Sequence, residues 1–236
     1  MRPDSKMDSE VTVIQSGVKI LYEDNHIIVA IKPAGVLSQS DGSDAPDMLT
    51  ILKAYIKEKY SKPGEVYLGL IHRLDRPVSG VMVFARTSKA ASRLSEQIRN
   101  RKVEKIYRCV VEGVLEGSGR LENYISKDES RNIVTVSDAE KPGYKASYLD
   151  YRAIASKEGK TLVEVKLGTG RSHQIRAQMA HNGYPLTGDQ KYGKKDPKVK
   201  DIALEAYKLS FEHPVKRENI TFEAPVPGVF PWSLFA

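Results

Sequence analysis

Cysteine is almost missing from this 236-residue chain: Cys109 stands alone, which excludes an internal disulfide framework. Its neighbours Ile106, Tyr107, Val110 and Val111 read as a strand, so core packing is the expected role of the thiol. No apolar run approaches the roughly 20 residues needed to cross a bilayer. The opening stretch Met1-Arg2-Pro3-Asp4-Ser5-Lys6 leads into polar sequence, without the apolar segment of a secretory signal. Together these absences favour a reducing cytoplasm. No cluster of Cys and His has zinc-ligand spacing, and no glycine-rich phosphate loop is present. What the chain does have is positive charge. Its 37 Lys and Arg against 30 Asp and Glu leave a net charge of +7. The pI is about 9.3. That balance suits a polyanionic partner, most commonly nucleic acid. Hydrophobic content of 40% and charged content of 28% belong to an ordinary globular chain, able to bury its core as one domain or two small ones.

Polar residues dominate up to about residue 16, which reads as a flexible leader before a single domain over 17–236. Val18 to Tyr22 and Ile27 to Ile31 read as strands joined by a polar turn, and Ser38 to Asp47 as a mobile loop. Met48 to Tyr60 carries Met48, Leu49, Leu52, Tyr55 and Ile56 on one helical face, with Asp47 as N-cap. Further strands are expected over 67–71, 80–85, 107–111, 133–136, 146–154, 161–167, 203–211 and 219–222. Helices are expected over 87–100, with Ala91, Leu94 and Ile98 as its stripe, and over 172–182, stopped by Gly183. Strands outnumber helices at hairpin-like spacings. The expected fold is α+β: a mixed, mainly antiparallel sheet flanked by helices, with a central active-site cleft.

Three segments are costly for a merely structural protein. His72-Arg73-Leu74-Asp75-Arg76-Pro77-Val78-Ser79-Gly80 sets one carboxylate between two arginines in a turn, just before the apolar run Val81 to Phe84. Opposite charge favours an ionised carboxylate, and a rigid turn lets it serve as nucleophile, base or clamp. Alone, such a turn could equally be a surface charge pair. Glu104-Lys105-Ile106-Tyr107-Arg108 starts a strand with a tyrosine among charged residues. An exposed tyrosine there could stack on a base while the cations hold phosphates. Taken alone it is more simply an ordinary strand aromatic. Gly168-Thr169-Gly170-Arg171-Ser172-His173-Gln174-Ile175-Arg176 opens a helix with glycines and donors, a place that favours an anion. Ile175 and Met179 would form its buried side and Arg176 would face a pocket, while His173 by itself reads as a satisfied histidine.

Read together, the segments resemble the RluA-type pseudouridine synthases. The first is similar to their HRLDxxTSG signature. Residues 104–113 resemble their KxYxAxVxG strand, and Gly170-Arg171-Ser172-His173-Gln174-Ile175-Arg176 matches GRxHQIR. Tyr184-Pro185-Leu186-Thr187-Gly188-Asp189 with Lys191-Tyr192-Gly193 is similar to PIxGDxxYG. Order and spacing agree over roughly residues 17 to 225. The resemblance implies a nucleophilic Asp75, a Tyr107 that packs on the target base, an Arg176 that pairs with the aspartate, and an aliphatic Leu204 that closes the pocket. It implies RNA contacts from Arg73, Arg76, Arg171 and His173, a uridine extruded from its stack, and a ribosomal or transfer RNA partner. It implies no metal or organic cofactor. The oligomeric state stays open, with a monomer as the default expectation. Attack at C1′, attack at C6 and a glycal route all remain open.

Val78 departs from the family's usual threonine, and Glu205 stands where many members carry histidine, so it is expected to border the pocket and bear on RNA choice. With about 15 residues ahead of the fold, no S4 RNA-binding domain is expected, and target selection is expected from the catalytic domain itself. The rival reading is a non-catalytic RNA-binding or ribosome-assembly factor on the same fold. Asp75 argues against it, because a carboxylate near phosphates repels RNA and binding alone has no use for it.

Overall fold

The computed structural model describes residues 11–14 and 16–236. In chain order the elements are β1 (Thr12–Val13), β2 (Lys19–Glu23), β3 (Ile27–Lys32), α1 (Met48–Lys59), β4 (Gly69–Leu70), β5 (Ser79–Ala85) and α2 (Ser88–Arg99). There follow β6 (Glu104–Glu112), β7 (Ser118–Asp128), β8 (Ile133–Ser137), β9 (Lys145–Lys157), β10 (Lys160–Leu167), α3 (Gln174–His181), β11 (Leu204–Glu212) and β12 (Asn219–Glu223). A single 3-10 turn, η1, covers Trp232–Leu234. The class is α+β with mainly antiparallel strands, as expected. The expected leader over 1–16 falls mostly outside the described residues. Its described part includes β1, which pairs antiparallel with β2 through Thr12↔Ile20.

The chain divides into two compact units, 1–105 with 206–224 and 106–205 with 225–236. In the first, strands run in the order β1-β2-β3-β5-β11, with β12 on β11 and β4 on β5. Val29, Val83, Leu94, Leu209 and Phe222 belong to one core cluster. The intervening Ile28, Ala30, Met82 and Phe84 are equally buried, so β3 and β5 are covered on both faces. That is why they read as continuous apolar runs rather than alternating ones. Asp47 caps α1 by accepting from the Thr50 N–H, and Thr87 caps α2 by accepting from the Ala90 N–H.

Two expectations here need correction. Of the expected α2 stripe, Leu94 is buried and Ala91 packs partly buried against the same core, while Ala90 and Gln97 are buried in addition and Ile98 is only partly covered. Gln97 belongs inside because its amide donates to the Glu212 carbonyl and accepts from the Glu212 N–H. The 38–47 segment is polar but anchored at both ends, since Ser38 and Asp47 are buried and Leu37 bridges Asp47.

The second unit has the order β6-β10-β9-β7-β8, antiparallel throughout. Its strand β7 has no counterpart among the expected elements. Only Asn123 and Ile125 are buried along its 11 residues, too few to leave a periodic apolar signal. Helix α3 starts at Gln174, two residues later than expected. His173 takes the left-handed conformation at φ 49° and serves as N-cap without a side-chain capping bond.

Gly80 is required at the start of β5. Its φ is +138°, and a Cβ there would lie 2.4 Å from the Ala206 carbonyl oxygen on β11. Gly80→Ala should therefore lower the urea unfolding free energy by about 2–4 kcal/mol, through backbone strain plus overpacking. A midpoint equal to that of the unsubstituted chain would show that β11 does not approach so closely.

Candidate active site

Asp75 sits in a turn whose main chain is fixed on both sides. Before it, the Ser38 hydroxyl donates to the Leu74 carbonyl at 2.8 Å and accepts from the Leu74 N–H at 3.0 Å. After it, the Val78 N–H donates to the Asp75 carbonyl at 3.0 Å and closes the turn across Arg76 and Pro77. The Arg76 carbonyl accepts from the Gly35 N–H at 2.9 Å and from the Lys32 ammonium at 3.0 Å. Lys32 is fully buried and donates as well to the carbonyls of Pro33 and Val36, at 2.9 and 2.6 Å. Residues 32–38 thus form a cradle of hydrogen-bonding groups beneath the turn.

The Asp75 side chain is half-buried, while Arg73 and Arg76 are exposed. Arg76 Nε donates to the Gly35 carbonyl at 3.1 Å. Val78 is buried, so the place where the family often carries threonine is filled here by an aliphatic side chain. At the head of the segment, His72 Nε2 accepts from the Val83 N–H of β5 at 3.2 Å.

Tyr107, Arg171, His173, Arg176 and Leu204 belong to the second unit. Tyr107 lies on β6 opposite Val165 of β10 and is 9% exposed, the burial of an ordinary strand aromatic. Arg108 is not a surface cation. It is buried, donates from Nε to Glu205 at 2.7 Å, and lies 5.7 Å from the Trp232 ring. Burial pushes the Glu205 carboxyl above the usual range, although Arg108 pulls it down. Leu204 is 4% exposed at the start of β11.

Helix α3 is buried along most of its length, from Gln174 to Met179. The carboxylate that fixes Arg176 within this unit is Asp189, with Nε to Oδ2 and Nη2 to Oδ1 both at 2.8 Å. Burial alone would raise the Asp189 carboxyl, but Arg176 and the amides of Lys191 and Tyr192 outweigh it and hold it below the usual range. The Arg176 guanidinium also lies 5.2 Å from the Tyr192 ring. The Tyr192 hydroxyl meets His173 Nδ1 at 2.8 Å, so His173 is a satisfied, buried histidine. Arg171 is exposed, and its N–H donates to the Gln174 side chain. Of the two glycines around Thr169, only Gly168 is crowded, with the Tyr148 ring 1.8 Å from where a Cβ would stand; Gly170 is open.

Asp189, Tyr192 and Ser38 were not singled out from the sequence. Asp189 and Tyr192 lie inside the segment similar to PIxGDxxYG, so a buried carboxylate downstream of a buried arginine was available as a signal.

The sequence profile of the RNA pseudouridylate synthase family matches residues 26–181. The chain belongs to that family. It is 36% identical over 223 residues to ribosomal large subunit pseudouridine synthase D of Neisseria meningitidis, covering 88% of this chain and 58% of that protein. Identity to the Pseudomonas aeruginosa protein of the same name is 34%, over 92% of this chain and 71% of that one. The chain thus spans a little over half the length of the Neisseria relative. The fold matches that of human RNA pseudouridylate synthase domain containing 4 with a TM-score of 0.76 at 23% identity, covering 92% of this chain and 91% of that one.

Removing one partner of a buried pair leaves the other uncompensated. Arg176→Ala should cost about 3–5 kcal/mol in urea unfolding at pH 7. Arg176→Met combined with Asp189→Leu should recover much of that loss. If the single variant unfolds at the wild-type midpoint, the Arg176–Asp189 pair is not a structural tie.

Proposed function

We propose that this protein is an RNA pseudouridine synthase that isomerises specific uridines in ribosomal or transfer RNA. The observation that carries the reading is the Asp75 turn, a carboxylate on a main chain anchored by Lys32, Gly35 and Ser38 inside a family signature. Such anchoring supports a group that must keep its aim during a reaction. The names of the Neisseria and Pseudomonas relatives favour ribosomal RNA as the substrate.

In this reading a uridine leaves its stack and Asp75 acts on it as the nucleophile. The N1–C1′ glycosidic bond breaks, the uracil rotates, and C5 bonds to C1′. As C5 bonds to C1′ the bond to Asp75 is released; C5 then loses its proton and N1 gains one, so the product is an isomer of uridine. Tyr107 packs against the base, Arg176 steadies the carboxylate, and Leu204 closes the apolar side of the pocket. The exposed Arg73, Arg76 and Arg171 reach phosphates, as the positive net charge favours. His173 supports this RNA-facing region from within. The protein works as a monomer in the cytoplasm.

Carbodiimide mapping tests the proposal, on total RNA from a strain lacking the gene. Wild-type protein should create a new stop at one or a few uridines. Asp75→Asn should bind the same RNA and create none. Normal conversion by Asp75→Asn would sink the assignment of the nucleophile.

A further inference from the structure

His72 occupies the point where β5 changes neighbours. One edge of β5 is covered by β3, from Ile27↔Ala85 to Lys32↔Gly80. The other edge is shared. There β4 pairs through Gly69↔Ala85 and Leu70↔Phe84, while Ala206 of β11 comes close at Gly80. Just past β5, the Arg86 N–H donates to the carbonyl of His26, the residue before β3. Amides alternate edges along a strand, so the Val83 N–H, three residues earlier, points to the shared edge. Pairing with β4 has already ended at Leu70. The acceptor for Val83 is the His72 ring, with Nε2 at 3.2 Å.

The imidazole therefore does with a side chain what a third residue of β4 would do with its main chain. That substitution lets residues 71–78 leave the sheet and form the turn. The ring is 8% exposed, and its other nitrogen, Nδ1, is buried without a hydrogen-bond partner among the described residues. An aliphatic side chain would fill the same volume without leaving a polar atom unpaired, so packing alone does not account for histidine here. Burial, with the Lys105 charge as a smaller second cause, holds the ring well below the usual histidine range. At neutral pH it is thus uncharged, with the Nε2 lone pair free to accept.

We propose that His72 is a positioning residue: by accepting from the Val83 N–H it ends β4 and fixes the departure of the chain into the Asp75 turn. Its effect on rate rests on the reading of Asp75 as the reacting group, whereas its effect on the turn does not.

The test compares His72→Gln with His72→Leu in the full chain. A glutamine carbonyl oxygen stands as many bonds from Cβ as Nε2 does, so it retains the acceptor; leucine removes it. Two quantities are read: NMR amide exchange at Val83 and Val78, and single-turnover conversion of the uridine mapped for wild type. In His72→Leu, exchange at both amides should rise about tenfold or more. Conversion should fall about tenfold to a hundredfold while affinity for the RNA stays within about threefold. His72→Gln should keep wild-type exchange at Val83 and most of the rate. If His72→Leu does not fold, His72→Asn replaces it, because its carbonyl falls at the Nδ1 position and does not reach Val83. Wild-type exchange and rate in the acceptor-free variant would overturn the proposal, as would equal impairment of both variants. If wild type converts no uridine, the proposed activity fails, and the exchange pattern still decides whether His72 holds the turn.

Discussion

The buried ammonium of Lys32 is the interaction on which the Asp75 segment depends. A charge taken out of water is tolerated only when hydrogen bonds replace its hydration. Lys32 meets that condition with the carbonyls of Pro33, Val36 and Arg76, the last of them 44 residues away in sequence. One side chain at the end of β3 thereby ties the turn that leaves β3 to the turn that bears Asp75. Ser38 and Gly35 extend the same tie to Leu74 and Arg76. The result is a carboxylate whose main chain is held by several independent contacts.

The second unit follows a related logic with side chains of opposite charge. Arg176 and Asp189 make a bidentate pair that Tyr192 covers, and Tyr192 in turn engages His173 and the Val134 N–H. Arg108 and Glu205 form a second buried pair on β6 and β11. Each pair leaves both charges satisfied, so each resists change at one member more than at both together. Glu205, where many family members carry histidine, is in this chain the partner of Arg108.

The legible part of the sequence was the part with strong local physics. The first helix announced itself through Asp47 and its apolar face, and β3 and β5 through runs buried on both sides. Pro77 and Gly80 marked the Asp75 turn, and the order of four motifs pointed to the family before any geometry was available. What escaped was set by tertiary contacts. Strand β7 is mostly polar, with only Asn123 and Ile125 buried, and is held by pairing with β8 and β9 rather than by its own composition. Gln97 is inside because it hydrogen-bonds the β11 main chain, a fact no hydrophobic pattern encodes. Asp189 reaches Arg176 across 13 residues of sequence, outside the reach of helical or strand periodicity. The covering of Arg108 was likewise missed, because a charged residue beside an aromatic looks the same in sequence whether it faces solvent or a buried carboxylate.

The proposed role of Asp75 as the reacting group depends on a turn held by Lys32, Gly35 and Ser38. The most direct measurement is the single-turnover rate of Lys32→Met on an RNA whose uridine the wild-type protein converts, alongside its affinity for that RNA. Lys32 is buried, so affinity should stay within about threefold while the rate falls by about tenfold or more. A folded Lys32→Met protein that converts the uridine at the wild-type rate would contradict the account.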